Sequence, residues 1–186
     1  MLFRSEVQTG FARTGKMFAI EHFGIDPDII TLSKAIAHGL PAAATVAKAE
    51  IMDWDLNSHE GTLNGGPIIM EAAKAVLSVI DEEKLVEKAK TQGDYLKKSI
   101  LELAKKYPII GDVRGIGLMV GIEFVKDLKK TPAKDKRDKL LNDAFMKGLL
   151  LLGAGESSIR LAPPMVITTE QINQGLTILE DCLKKL

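Results

Sequence analysis

The chain has 186 residues, of which 46% are hydrophobic and 27% are charged. This composition is typical of a globular protein with a sizeable core, and it excludes an extensively disordered chain or a small disulfide-dependent scaffold. Lysine and arginine together number 25, as do aspartate and glutamate, so no net charge favours nucleic acid or an acidic membrane surface as a partner.

The first third of the chain is predicted to hold short strands separated by glycine-containing loops. The opening MLFRSEVQ is β-like, TGFARTG follows as a loop, and residues 17–23 suit a short helix. The β-branched run PDIITLS predicts a buried strand with Lys34 directly after it, and AAATVA predicts another strand. A polar, glycine-rich loop, SHEGTLNGG, then leads to Pro67.

Two helices of different character are predicted next. Proline suits the first turn of a helix, so one helix begins at Pro67, and its residues up to Ile80 leave almost no polar face. We expect this helix to be buried. From Leu85 to Leu103, apolar residues recur at helical spacing among lysines and glutamates, which predicts an amphipathic helix. The change predicts a domain boundary near residue 81, although one continuous helix across it remains an alternative.

The rest of the chain is predicted to be a small α+β unit. VRGIGLMVGIEFV indicates either a strand pair or one long strand. The charged run that follows it, KDLKKTPAKDKRDK, indicates a solvated loop with the start of a helix. That helix is expected to end at Gly148, with strands following in LLLLGAG and in SSIRLAPP. TTEQ is a capping signal for a last helix that carries Ile172, Leu176, Leu179 and Leu183 at helical spacing.

Common cofactor and metal motifs are not found in the sequence. Gly115, Gly117 and Gly121 lack the GxGxxG spacing of a dinucleotide site and precede no predicted helix. HEGTL lacks the second histidine of an HExxH motif, and the three histidines do not show metal-ligand spacing. We therefore predict no metal site.

Cysteine usage and the absence of a long apolar run bear on location. Cys182 is the single cysteine and cannot form an internal disulfide. No apolar run reaches the length needed to span a bilayer, and the opening MLFRSE does not have the pattern of a signal peptide. These features predict a cytoplasmic protein with no nucleic-acid partner and no membrane partner.

Lys34 is unusual because it directly follows an apolar strand and precedes AIAHG. One interpretation is a surface lysine whose aliphatic stem lies along apolar surface. The other is an amine sheltered from water, which loses its proton more readily and can attack an aldehyde.

Residues 5–41, SEVQTGFARTGKMFAIEHFGIDPDIITLSKAIAHGLP, together with HEGTLNGG, RGIGLMVGIE and IRLAPP, resemble the class III pyridoxal-phosphate-dependent aminotransferases. Four-aminobutyrate and ornithine aminotransferases are typical members of that family. The resemblance runs over essentially the whole chain and implies an α/β fold of the aspartate aminotransferase-like type (fold type I). Residues 1–80 would be the C-terminal part of the cofactor-binding large domain, and residues 81–186 the small C-terminal α+β domain.

The resemblance also implies a cofactor, substrates and site residues. The cofactor would be pyridoxal 5'-phosphate, the substrates an amino acid and a 2-oxo acid, and the assembly a homodimer. Lys34 would bind the cofactor covalently and transfer the α-proton of the substrate. Val7 would pack on the cofactor ring, Gln8 would bond near its phenolic oxygen, and Thr62 would reach the phosphate of the neighbouring subunit's cofactor. Arg160 would hold the substrate carboxylate, a role that suits a planar guanidinium.

The chain departs from the family pattern around these residues. The family motif reads Asp-Glu-Val-Gln, and its aspartate keeps the pyridine nitrogen of the cofactor protonated, whereas this chain has Ser5 at that position. Serine carries no charge for that purpose, and we expect Glu6 to point to the opposite strand face. His38 and TLNGG also replace the family's usual residues. Ser5 therefore predicts a strongly impaired transaminase.

The sequence begins about halfway along a typical family member. The glycine-serine or glycine-threonine loop that holds the cofactor phosphate is not in it, nor are most strands of the central sheet. We expect open strand edges and an uncovered apolar face, which favour association. Three functions stay open: impaired amino transfer; a catalytically inactive remnant, or one piece of a split enzyme that needs a complementing N-terminal chain; and an amino-acid racemase or aminomutase.

Overall fold

The computed structural model describes residues 1–62 and 64–186. The chain forms two compact units, residues 1–87 and residues 88–186, and the boundary between them falls inside a helix. Each unit combines strands with helices. The assignment of residues 1–80 and 81–186 to the large and small domains of the family stays a prediction.

The first unit is organised around a three-stranded sheet in the order β1-β2-β3. Strands β1 and β2 are parallel, with Ser5 beside Thr31, whereas β2 and β3 are antiparallel, with Leu32 beside Ala44. The carboxyl ends of β1 and β2 therefore lie at one edge of the sheet, where β3 begins. Two 3-10 helices, at residues 19–23 and 34–36, follow β1 and β2 along the chain. The strands are β1 (Phe3–Ser5), β2 (Ile29–Leu32) and β3 (Ala44–Ala47).

Burial in the first unit is lower than the sequence predicts. Strand β2 was expected to be buried, yet it is half-buried up to Leu32, which is buried. Helix α1 (Pro67–Glu82) begins at the predicted proline and packs against the 3-10 helix at 34–36. Its predicted burial is wrong, because Ile68 is 78% exposed and Leu77 42% exposed. An apolar sequence is buried only where another surface covers it, and the neighbouring elements leave this face of α1 in solvent.

The second unit contains a four-stranded antiparallel sheet in the order β4-β5-β7-β6. Strands β4 and β5 form a hairpin, which settles the open alternative in favour of a strand pair. The hairpin turns at Gly117, whose φ of 55° lies in the left-handed region that glycine adopts without strain. The elements are α2 (Leu85–Lys106), β4 (Ile110–Ile116), β5 (Met119–Phe124), α3 (Lys134–Met146), β6 (Leu152–Ala154), β7 (Ser158–Leu161) and α4 (Thr169–Leu183).

One cluster of buried side chains joins the helices and the sheet of the second unit. Along the sheet, Val113, Ile122 and Ile159 are paired across three strands and are buried, as the alternation of a half-covered sheet requires. The predicted cap of α4 is confirmed: Thr168 Oγ1 accepts a hydrogen bond from the Gln171 amide at 3.2 Å, and the Gln171 side chain accepts one from the Thr168 amide at 3.0 Å.

Across residues 1–62 and 64–186, every helix is too short or too polar to span a membrane.

Candidate active site

The carboxyl edge of the parallel pair β1 and β2 brings together several of the predicted site residues. Ser5 ends β1, Val7 and Gln8 follow it, and Lys34 lies two residues after β2. The Glu6 amide donates to the Thr31 carbonyl at 2.9 Å, which extends the pairing just beyond β1. Ligands of α/β proteins commonly bind outside the carboxyl ends of parallel strands. This edge is therefore the candidate site.

Lys34 has a backbone conformation that is uncommon for a residue other than glycine. It is the first residue of the 3-10 helix at 34–36 and has a φ of 48°, and His38 nearby has a φ of 40°. The Ser33 hydroxyl donates to the Ala42 carbonyl at 2.9 Å and so ties the segment before Lys34 to the approach of β3. Left-handed residues other than glycine cost about 1–2 kcal/mol each and concentrate at functional sites.

Of the two interpretations of Lys34, the structure agrees with the exposed lysine and not with the amine sheltered from water. The Lys34 side chain is exposed, as are those of Ser5 and Gln8, and Val7 is half-buried. A strand exit alone does not desolvate a lysine, because the long side chain carries its ammonium beyond the edge of the sheet into solvent. A shielded amine at this position would require an additional covering surface.

Glu6 is the buried carboxylate of this region, and sequence reasoning gave it no role. Its side chain is fully buried and accepts hydrogen bonds from the amides of Ala19 at 3.1 Å and Ile20 at 2.9 Å, from the Thr9 hydroxyl, and from Arg4 Nε at 3.1 Å. Burial acts to raise the pKa of Glu6, but these hydrogen bonds outweigh it and hold the pKa below its ordinary value. Thr9, three residues after Glu6, is the one donor that the local sequence could have suggested, although that spacing alone is a weak signal.

Thr62 lies in the long loop between β3 and α1 and is exposed. Together with His59 and Asn64 it lines a shallow concavity. Leu63, which is part of the TLNGG departure from the family pattern, lies outside the described residues. Thr62 and the residues at the strand edge all belong to the first unit.

Arg160 belongs to the second unit, on β7, where it is half-buried. It is paired with Gly121 on one side, and Gly121 is paired in turn with Arg114. Arg114 donates to Asp112 at 2.7 Å and to Glu123 at 2.6 Å, so two carboxylates balance its charge. Gly121 carries no side chain, and an added Cβ would meet Arg114 at an ordinary 3.8 Å. The position of the missing Gly121 side chain is therefore in ordinary van der Waals contact with Arg114.

The family of the chain follows from comparison with known proteins. The family model described as "Aminotransferase class-III" matches residues 1–183. The chain belongs to the class III aminotransferases. A leucine/methionine racemase of Thermococcus litoralis is 44% identical over 94% of this chain and 40% of its own length. A probable 4-aminobutyrate aminotransferase of Bacillus subtilis is 43% identical over 96% of this chain and 42% of its own length.

A solved structure supports the same fold assignment. An aminotransferase of Bacillus anthracis superimposes with a TM-score of 0.94 and 34% identity, covering 99% of this chain and 44% of that one. The predicted fold is thereby confirmed: an α/β, aspartate aminotransferase-like (fold type I) architecture, present in part. The chain spans about two fifths of the length of the curated relatives it matches.

Proposed function

We propose that the chain carries the lysine-bearing site of a pyridoxal-phosphate-dependent enzyme that transfers an amino group between an amino acid and a 2-oxo acid. The observation that carries this proposal is the position of Lys34, two residues beyond β2, at the edge that β1 shares. Its left-handed backbone, which is uncommon for a residue other than glycine, is consistent with a functional position. Family membership supplies the class of chemistry.

The groups at this edge fit the aldehyde side of pyridoxal phosphate. Lys34 offers a primary amine that binds an aldehyde covalently and, when free, accepts the α-proton of the substrate and returns it. Gln8 offers a carboxamide to the phenolic oxygen of the ring, and Val7 offers apolar surface to the ring face. The bound cofactor supplies the electron sink that makes the α-proton of the substrate labile.

Ser5 is the weak point of this site. Its exposed hydroxyl carries no charge to keep a pyridine nitrogen protonated, and the adjacent Glu6 carboxylate is buried among its own donors. Removing one preorganised electrostatic partner typically slows an enzyme by about 10²–10³-fold. We therefore expect amino transfer that is slow compared with a family member bearing aspartate at this position.

Thr62 and Arg160 extend the proposal to the phosphate and the substrate. The exposed Thr62 hydroxyl is proposed to bind the phosphate of a cofactor held by a second copy, and the Arg160 guanidinium the carboxylate of the substrate. A homodimer or a complementing chain is the proposed assembly.

Covalent labelling tests the proposal directly. The purified chain, mixed with pyridoxal phosphate, should develop the absorbance band of a lysine-bound cofactor, and borohydride should then fix the label on Lys34 in peptide mass spectrometry. Lys34→Arg keeps the positive charge but should lose the label. Lys16→Ala removes an exposed lysine of the same unit and should keep it. Equal labelling of Lys34 and the other exposed lysines would overturn the proposal.

Amino-acid racemisation is the second candidate, favoured by the 44% identity to a leucine/methionine racemase. It uses the same amine to remove and return the α-proton but needs no 2-oxo acid. Incubation of the cofactor-loaded protein with L-leucine in D₂O separates the two. Deuterated D-leucine without a 2-oxo acid indicates a racemase, and amino transfer to an added 2-oxo acid indicates a transaminase. Specific labelling of Lys34 without either product indicates an inactive chain or one that requires a complementing partner.

A further inference from the structure

Glu6 connects three separate segments of the first unit, and the proposed chemistry does not use it. Its amide is bonded to the Thr31 carbonyl on β2 at 2.9 Å, which fixes its backbone to the sheet. Its carboxylate accepts hydrogen bonds from the backbone amides of Ala19 and Ile20, which begin the 3-10 helix at 19–23. A buried carboxylate with several donors is held firmly, because each charge-assisted bond is stronger than a neutral one.

The same residue closes the turn that contains Val7 and Gln8. The Gly10 amide donates to the Glu6 carbonyl at 2.9 Å, and the Thr9 hydroxyl donates to the Glu6 carboxylate. A Cβ at Gly10 would stand 2.9 Å from the Glu6 carbonyl, so the turn is tightly closed. Val7 and Gln8 therefore lie in a turn whose two ends are joined by hydrogen bonds from Thr9 and Gly10 to Glu6.

We propose that Glu6 is a positioning residue for the site: it holds the turn at residues 6–10, and through that turn it keeps Gln8 at the edge where Lys34 lies. This inference rests on the function proposed above for Gln8 and Lys34. The carboxylate form is required, since Ala19 and Ile20 donate to different oxygens of Glu6, and an amide in its place has one acceptor oxygen and turns its NH₂ group toward one of these two N–H donors. Thr9 is a second positioning residue, because its hydroxyl donates to the Glu6 carboxylate from the other end of the turn.

A double-mutant cycle between Glu6 and Gln8 tests the proposal. Glu6→Gln and Gln8→Ala should each weaken the binding of pyridoxal phosphate, read from the lysine-bound absorbance band, by about tenfold. The double variant should be no weaker than either single variant, because coupled residues give non-additive effects. Thr9→Val removes the hydroxyl with little change in shape and should weaken binding about fivefold, whereas Thr9→Ser keeps the hydroxyl and should bind as the unaltered chain does, since a hydrogen bond is worth about 1 kcal/mol.

Glu50→Gln is the matched control, because Glu50 is an exposed glutamate of the same unit and its substitution should leave binding unchanged. Additive losses from Glu6→Gln and Gln8→Ala would overturn the positioning role. If Glu6→Gln does not fold, the Thr9→Val and Thr9→Ser pair decides: equal binding by both overturns the proposal.

Hydrogen exchange gives a readout that does not depend on the cofactor. In Glu6→Gln or Thr9→Val, the peptide covering residues 6–10 should exchange at least about tenfold faster than in Glu50→Gln, since the Thr9 bond to the Glu6 carboxylate, one of the two bonds that close the turn, is weakened or lost. Unchanged exchange would overturn the inference. If the unaltered chain shows no lysine-bound band while exchange responds as expected, the proposed function fails and the anchoring of the turn by Glu6 stands.

Discussion

The two units of the chain bury their apolar residues to very different extents. In the second unit, Phe124, Ile122 and Leu140 are fully buried in one cluster with side chains from α2, α3 and α4. In the first unit, Leu56 is 91% exposed and Ile68 78% exposed. Monomeric proteins rarely leave extended apolar patches in solvent. The contrast indicates that the second unit is stabilised by a large core of its own, whereas the first buries fewer apolar side chains, among them Phe11 and Ile80, and local hydrogen bonds such as those of Glu6 contribute relatively more.

The largest difference in stability between the two units should come from replacing one isoleucine by alanine in each unit. Ile122→Ala should lower the free energy of unfolding of the second unit by about 2–5 kcal/mol, because it leaves a cavity in a closed core. Ile68→Ala should change the stability of the first unit by less than about 0.5 kcal/mol, since its side chain is already in solvent. Urea titration followed by hydrogen exchange of peptides from each unit gives both values.

A large loss of unfolding free energy from Ile68→Ala would contradict the difference in burial between the two units. It would mean that the exposed face of α1 is covered in solution, by a second copy or another chain. Repeating the titration at several protein concentrations distinguishes these outcomes, because stability that depends on self-association rises with concentration.

Local signals predicted the elements of the fold because their causes are local. Pro67 starts α1, and Thr168 with Gln171 caps α4, since each acts on backbone groups within one turn. The run around Gly115, Gly117 and Gly121 left two alternatives, which the left-handed turn at Gly117 resolves as a hairpin.

Burial was the property that local pattern did not predict. The apolar composition of α1 indicated a buried helix, and the strand before Lys34 allowed either a surface lysine or a sheltered amine, yet α1 is largely exposed and so is Lys34. Whether a side chain is covered depends on surfaces contributed from elsewhere, which periodicity does not encode. Glu6 was missed for the converse reason: its donors at Ala19 and Ile20 are backbone amides brought near by the fold, and backbone amides leave no mark in the sequence.

Acid should affect the first unit through Glu6. Its folded-state pKa lies below the ordinary value of 4.5, so its stabilising contribution is present above that pH and is lost as the pH falls through the folded-state pKa. Glu6→Gln should lower the free energy of unfolding of the first unit by about 2 kcal/mol at pH 7, since hydrogen bonds to a buried charge are lost. The difference from the unaltered chain should shrink as the pH drops below 4.5.

Glu102→Gln is the same substitution in the second unit, where Glu102 is 56% exposed and paired with Lys105 at 2.7 Å. Lys105 lowers the pKa of Glu102 by hydrogen bonding and charge, yet solvent screens so exposed a pair. Its replacement should leave the stability of the second unit essentially unchanged at any pH. If both glutamine variants show the same pH profile, Glu6 is not the source of the acid sensitivity.

The smallest expected effects concern how the helices of the two units begin. Thr168→Ala removes the side-chain cap of α4 and should cost about 1 kcal/mol. Helix α1 begins after Gly66, which offers no side-chain cap and has a φ of −55° that any residue adopts, so Gly66→Ser should stabilise α1 by a few tenths of a kcal/mol. Hydrogen exchange of α1 and α4 peptides measures both changes. If Gly66→Ser stabilises α1 by as much as Thr168→Ala destabilises α4, the missing cap is what limits the stability of α1. The lower stability of the first unit would then have a local cause and would not come from uncovered apolar surface.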